Sequence, residues 1–208
     1  MSKKELHLIS NGKQSLERFV DLAQQVHELV TAIHIREKTK SAIELWDWLE
    51  RLIETGVPRE KLYLNDRVDV AWAAGVSGVQ LAYHSLEPSS VKRRFPGLRV
   101  GRSVHSLQEA KEMASQGADY LIFGHIYQTE SKPGRTARGI ECLKEIVDAV
   151  SIPVIAIGGI RVCHIEEILE AGAAGIAVMS GIAEAEDPRG RAKEYLEAMV
   201  GDENERDL

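Results

Sequence analysis

A histidine delivered from a short apolar run into a long polar loop is placed to move protons, and the stretch Tyr120 to Arg138, YLIFGHIYQTESKPGRTAR, does this with His125. An imidazole with an ordinary pKa of about 6.5 takes up or gives back a proton near neutrality. By position alone, His125 either does that acid/base work or hydrogen-bonds the loop. A second chemistry is suggested by two glycine-bearing segments, Ile155-Ala156-Ile157-Gly158-Gly159-Ile160 and Val178-Met179-Ser180-Gly181. Small residues let backbone N–H groups approach anionic oxygens, and the amino end of a short helix adds a favourable dipole. Either segment alone reads as a tight turn; together, in successive loops, they read as a phosphate cradle. Arg36, Lys38 and Lys132 are loop cations able to meet an anionic ligand, where single basic residues are otherwise simply solvated.

These groups need a frame. Short apolar, β-branched runs recur at Leu6 to Ser10, Ala32 to Arg36, Lys61 to Asn65, Gly78 to Ala82, Arg99 to Val104, Tyr120 to Gly124, Pro153 to Gly158 and Gly175 to Ser180. Each has strand character, and helical spacing fills the intervals. Ser41-Ala42-Ile43-Glu44 and Ser106-Leu107-Gln108-Glu109 match the capping box, and Gly56, Gly75, Gly117 and Gly172 stand where helices should stop. Parallel strands need crossover helices, so eight alternating units in 208 residues predict a single (β/α)8 TIM barrel over residues 1–200 rather than an open doubly wound sheet. Residues 201–208 read as a disordered acidic tail.

That architecture gathers chemistry at the carboxyl ends of the strands. Arg36, Glu37 and Lys38, then Asn65 and Asp66, Tyr83 to Ser85, Ser103 and His105, His125, Gly158 and Gly159, and Ser180 and Gly181 all fall there. In the second strand, alternation separates Ile33 and Ile35 from His34 and Arg36. A polar pair facing the helices would be costly to bury, so the expectation puts His34 and Arg36 inside the barrel.

Composition narrows the rest. A net charge of −6 and a pI near 5.7 speak against a nucleic-acid partner, and Lys92-Arg93-Arg94 reads as a solvated helix face. No window is long and apolar enough for a membrane span or a signal peptide, so a cytoplasmic protein without a membrane partner is expected. Cys142 and Cys163 lack metal-ligand spacing and are expected to be packing residues. Trp46 and Trp48 cannot share one narrow helix face, which leaves room for an aromatic homodimer patch.

Six segments in order carry a resemblance over almost the whole chain: His34-Ile35-Arg36-Glu37-Lys38, Asn65-Asp66-Arg67-Val68-Asp69, Gly101-Arg102-Ser103-Val104-His105-Ser106, Gly117-Ala118-Asp119-Tyr120, Gly124-His125-Ile126-Tyr127-Gln128-Thr129 with Lys132, and Ala156-Ile157-Gly158-Gly159-Ile160. They resemble the thiamin phosphate synthase superfamily, which implies the barrel and a phosphorylated thiazole as the small-molecule substrate. Three positions depart from the synthase pattern. Ser85 stands where a second acidic magnesium ligand is expected beside Asp66, His34 replaces a glutamine, and His125 replaces a proline. Those departures look like the TenI branch, the thiazole tautomerases. The implied activity is an isomerase that converts the ylidene tautomer of carboxythiazole ethyl phosphate to its aromatic form without metal or cofactor.

In that reading His125 carries the proton. Gly158, Gly159, Ser180 and Gly181 hold phosphate with Met179 alongside them, Arg36, Lys38 and Lys132 meet anionic charge, and Asn65, Ser103 and Thr129 are polar substrate contacts. The alternatives are a magnesium-dependent thiamin phosphate synthase, kept open by Asp66 and Lys132, and a non-catalytic regulator that binds a thiamin-related phosphate.

Overall fold

The computed structural model describes residues 4–129, 134 and 136–201. Eight parallel strands close into a barrel in chain order: β1 (Glu5–Ile9), β2 (Ala32–Ile35), β3 (Leu62–Asn65), β4 (Gly78–Leu81), β5 (Arg99–Val104), β6 (Tyr120–Gly124), β7 (Val154–Ile157) and β8 (Gly175–Val178). β8 pairs with β1 through Glu5↔Gly175 to Leu8↔Val178, so the sheet has no free edge. The crossovers are helices α1 (Leu16–Val26), α2 (Ala42–Glu54), α3 (Val68–Ala74), α4 (Pro88–Arg94), α5 (Leu107–Ser115), α6 (Gly139–Ala149) and α7 (Ile165–Glu170). After β8 come a short α8 (Ser180–Ala183) and the closing α9 (Pro188–Val200).

Strand alternation divides the interior into two layers. Outward residues such as Leu6, Leu8, Ile33, Ile35, Leu64, Val79, Leu81, Phe123, Ala156 and Ile176 pack against buried helix faces in one large cluster. Inward residues Ile9, Ala32, Tyr63, Tyr120, Ile122, Ile155 and Ala177 form a smaller cluster inside the barrel. His34 faces this interior, with the Tyr63 ring stacked on it at 5.0 Å. Trp48 anchors α2 by stacking on Phe19 of α1 at 5.5 Å, whereas Trp46 is only partly buried.

Several local details differ from the sequence expectations. Ser41 and Glu44 form the full capping box. At α5 the Ser106 hydroxyl caps Glu109 N–H, but the Glu109 carboxylate accepts from His105 N–H at 2.6 Å, one residue further back. β8 ends at Val178 rather than Ser180, because Met179 leaves the extended region (φ −115°, ψ −92°) to start α8. Both cysteines are exposed rather than packed, Cys142 on α6 and Cys163 in a short 3-10 turn before α7. Lys92, Arg93 and Arg94 are exposed on α4, where Lys92 pairs with Asp119 at 2.5 Å. Lys132 and residues 202–208 of the expected tail lie outside the described residues. No helix among the described residues is long and apolar enough to cross a membrane.

Candidate active site

The carboxyl rim is tied together loop to loop. Ser10, buried just past β1, donates its hydroxyl to Glu37 Oε1 at 2.7 Å and accepts Arg36 N–H at 2.8 Å. This fixes how the Arg36-Glu37-Lys38 run leaves β2, with Arg36 partly buried at the rim and Lys38 exposed.

Asp66 follows β3 in the left-handed region (φ 65°), a conformation that a short polar side chain tolerates better than most. Its N–H donates to the Gln80 carbonyl at 3.1 Å, which draws it toward β4. There the Ser85 hydroxyl donates to Asp66 Oδ1 at 2.5 Å, and His84 Nε2 lies 3.4 Å from Oδ2. The carboxylate thus sits between two polar side chains of the next loop and remains partly exposed.

The floor inside the rim is polar. Register sets Asn65 beside Gln80, and Gln80 Nε2 donates to the Ser103 hydroxyl at 3.0 Å. Beneath them runs a line of side chains that crosses the barrel, partly buried at Arg99 and Glu5 and fully buried at the two histidines: Arg99 grips both oxygens of Glu5 at 2.8 Å, Glu5 Oε2 lies 2.9 Å from His7 Nε2, and His7 Nδ1 lies 3.0 Å from His34 Nε2. Arg99 also donates to the Tyr63 hydroxyl at 3.3 Å and lies over the Tyr120 ring. Burial pushes the Glu5 carboxyl up, but the His7 and Arg99 hydrogen bonds and charges outweigh it and hold the group down to about 2. Burial pushes both imidazoles the other way, offset in part at His7 by Glu5 and at His34 by Asn65, and His34 falls further.

The opposite side of the same rim is built from the ends of β6, β7 and β8. His125 is buried, and its carbonyl accepts Arg138 N–H at 3.0 Å. Pairing with β7 continues past the strand, as Ile126 and Tyr127 N–H donate to the carbonyls of Ile157 and Gly158 at 2.9 and 3.0 Å. The glycines make that approach feasible. A Cβ on Gly158 (φ 100°) would lie 2.4 Å from His125 Cβ, and one on Gly159 (φ 69°) would lie 2.4 Å from the Gln128 carbonyl oxygen. Their small size therefore serves the packing of two loops as well as any ligand. Met179 packs on the inner cluster, Ser180 and Gly181 open α8 on the exposed side, and Thr129 is partly buried in the loop after β6.

The structure joins Asn65 and Ser103 into one polar floor through Gln80 and places Arg36 and Lys38 on the rim at β2. His125, Thr129, Gly158, Gly159, Met179, Ser180 and Gly181 lie across the mouth from Asp66, because β3 and β7 are four strands apart in a closed ring of eight. Sequence reasoning overlooked Glu5, His7, Tyr63, Gln80, Arg99 and Tyr120. Their signal was available, as polar residues at inward positions of otherwise apolar strands. Among the described residues, no group of three or more His, Cys, Asp or Glu side chains is arranged to hold a metal ion.

Comparison with known proteins places this barrel among relatives. The profile of the thiamine monophosphate synthase family, TMP-TENI, matches residues 6–182. The thiamine-phosphate synthase of Pyrococcus abyssi is 36% identical over 199 residues, 95% of each chain. That of Pyrococcus furiosus is 40% identical over 171 residues, 82% of each. The solved thiamine phosphate pyrophosphorylase of Pyrococcus furiosus superposes with a TM-score of 0.79 at 33% identity, covering 95% of this chain and 97% of its own.

These relatives are transferases, and they overturn the expectation of an isomerase with thiazole tautomerase activity. That expectation rested on three point departures, Ser85, His34 and His125, weighed against the synthase pattern. The loss of one acidic ligand is weak ground, because magnesium is commonly held by one or two carboxylates with water and substrate phosphate completing the shell. With the profile spanning most of the chain and synthase relatives matching it nearly end to end, the protein belongs to the thiamine monophosphate synthase family.

Proposed function

We propose that the protein is a thiamine-phosphate synthase, joining an aminopyrimidine methyl diphosphate to a thiazole phosphate with release of pyrophosphate. The bond between the methylene carbon and the diphosphate oxygen breaks, and its electron pair leaves with pyrophosphate. The thiazole ring nitrogen supplies the pair for the new carbon–nitrogen bond and becomes the thiazolium cation, with no proton transferred.

The observation that carries this reading is the position of Asp66 relative to the Gly158-Gly159 turn. They stand on opposite sides of the one carboxyl rim, so the mouth has two corners suited to phosphate groups, one glycine-lined and one where a cation on the Asp66 carboxylate would draw in a diphosphate. Two phosphorylated substrates held together need two such corners; rearrangement of a single monophosphate needs one. The family implies magnesium, and the donor present suits it: the Asp66 carboxylate is a hard oxygen ligand, oriented by the Ser85 hydroxyl of the adjacent loop. Magnesium held there would neutralise diphosphate charge and ease departure of pyrophosphate.

The remaining roles follow from place and chemistry. Gly158, Gly159, Ser180 and Gly181 receive the thiazole phosphate, with Met179 against the ring, and Arg36 and Lys38 meet diphosphate charge; for Lys132, outside the described residues, the same role rests on the sequence resemblance alone. Asn65, Ser103 and Thr129 are polar contacts. Since the step moves no proton, we assign His125 to shaping the cleft beside Gly158 rather than to acid/base work. The test is direct: the two substrates with magnesium should yield thiamine phosphate and pyrophosphate in equal amounts, and a chelator should stop the reaction. Absence of thiamine phosphate with both substrates and magnesium present would sink the reading.

A further inference from the structure

We propose that Glu5, at the far end of the barrel, sets the tautomer of His34 through His7 and thereby presents the His34 Nδ1 lone pair to the site floor as an acceptor for an uncharged N–H donor of the ligand. The chain of reasoning starts at Glu5. Its carboxylate is bound on both oxygens by Arg99, so it is ionised and offers only lone pairs. His7 Nε2, 2.9 Å away, must then carry its proton toward Glu5. His7 is fully buried, and burial favours the neutral ring, which leaves Nδ1 bare. His34 Nε2 lies 3.0 Å from that lone pair and must donate to it. His34 is also fully buried and neutral, so its remaining nitrogen, Nδ1, is an acceptor.

That atom is left unsatisfied. Among the described residues the Asn65 side chain interacts with His34, but no hydrogen bond of ordinary geometry satisfies His34 Nδ1, Asn65 Oδ1 or Gln80 Oε1, all of them buried. Buried acceptors are rarely left unpaired, since each loses its hydration without return. Here three occur on the inward faces of adjacent strands β2, β3 and β4, with Asn65 and Gln80 in direct register. A floor lined by acceptors selects a ligand group rich in donors, such as an amino group on an aromatic ring.

Glu5 is the element that makes this polarity unique. Without an ionised carboxylate, a neutral His7 has two equivalent tautomers, and one of them reverses the line and turns His34 Nδ1 into a donor. A proton added to His7 does the same, because both of its nitrogens then donate. Arg99 keeps Glu5 ionised, and Tyr63 and Tyr120, packed around His7, exclude the water that would otherwise charge it. Glu5 and His7 are thus positioning residues, and His34 is the contact.

Assigning the donor to the aminopyrimidine rests on the synthase reading; the tautomer assignment does not. Imidazole nitrogen NMR of the ligand-free protein, assigned with His34→Gln, should show both His7 and His34 neutral with the proton on Nε2. A His34 ring protonated on Nδ1, or an imidazolium at either position, would overturn the relay. Adding an unphosphorylated aminopyrimidine to the wild-type protein should move the His34 Nδ1 resonance, while the deaminated compound leaves it in place. Equal movement with both compounds, or none with either, removes the ligand-facing part. In Glu5→Gln, His34 should populate both tautomers and the aminopyrimidine Kd should rise about tenfold, the loss of one neutral hydrogen bond. An unchanged tautomer in that variant counts against Glu5 as the determinant, and the wild-type spectra decide the issue if the variant does not fold. A protein with the expected tautomers that makes no thiamine phosphate keeps the relay and loses the proposed activity; the converse result loses the relay alone.

Discussion

The Ser85 hydroxyl donates to Asp66 Oδ1 at 2.5 Å, and Ser85 Oγ itself accepts Ala82 N–H at 2.8 Å. One Ser85 lone pair is engaged by the backbone, and because an ionised carboxylate only accepts, the single Ser85 proton is committed to Asp66. Ser85 therefore orients Asp66 across two loops, at the position where a second carboxylate would otherwise stand. Asp66→Asn removes the charge a divalent cation needs and should lower synthase turnover by about a hundredfold or more. Ser85→Asp adds a second carboxylate and should lower the magnesium concentration giving half-maximal rate. Rate measured against magnesium for both variants checks this, and an Asp66→Asn curve matching wild type would remove Asp66 from the site.

Gly158 carries two separate demands, and substitution distinguishes them. Gly158→Ala places a Cβ 2.4 Å from His125 Cβ on a backbone with φ of 100°. Gly97→Ala meets the same kind of backbone strain (φ 95°) with nothing within 4 Å. The Gly97 variant should lose about 1 kcal/mol and the Gly158 variant roughly 2–4 kcal/mol, the difference being steric. Urea unfolding of the two variants measures it. Equal losses would mean that the loop after β6 simply moves aside.

Acid should weaken the fold earlier than carboxylate chemistry alone would bring about. Folded His7 and His34 have pKa values lowered by burial, so below the ordinary value of 6.5 the unfolded chain binds more protons than the folded one. Stability is therefore full above that pH and is lost as pH falls through it, at about 1 kcal/mol per pH unit per histidine. Glu5, held down to about 2 from 4.5, contributes stability above its unfolded value that is lost as pH falls from 4.5 toward 2. Urea midpoints across this range should decline in two stages, and His7→Asn should flatten the first. A midpoint constant from pH 7 to pH 5 would contradict the buried neutral pair.

The two tryptophans of α2 should differ sharply. Trp48 is buried and stacked on Phe19, so Trp48→Ala should cost about 3–5 kcal/mol. Trp46 is only partly buried against the same cluster, and Trp46→Ala should cost about 1 kcal/mol in a monomer. A concentration-dependent loss of stability in the Trp46 variant would instead locate a dimer contact there.

The strand and helix rhythm, and with it the barrel, was written in the sequence, because alternation and helical spacing are local properties that survive without knowledge of neighbours. β3 ends at Asn65, as the pattern required, and Ser41 with Glu44 caps α2 as the motif predicts. Placement of Asp66, His125 and the Gly158-Gly159 turn at the strand ends was equally legible, since the barrel assigns a rim to every such loop. What only the tertiary structure decided were the pairings between residues far apart in the chain. Glu5 and Arg99 meet across the barrel, Ser10 reaches Glu37, and His7 lies against His34. Closure and register determine those contacts, and no local pattern contains them. For the same reason Ser85 reads in sequence as a missing ligand, whereas in the fold it is the group that holds Asp66 in place.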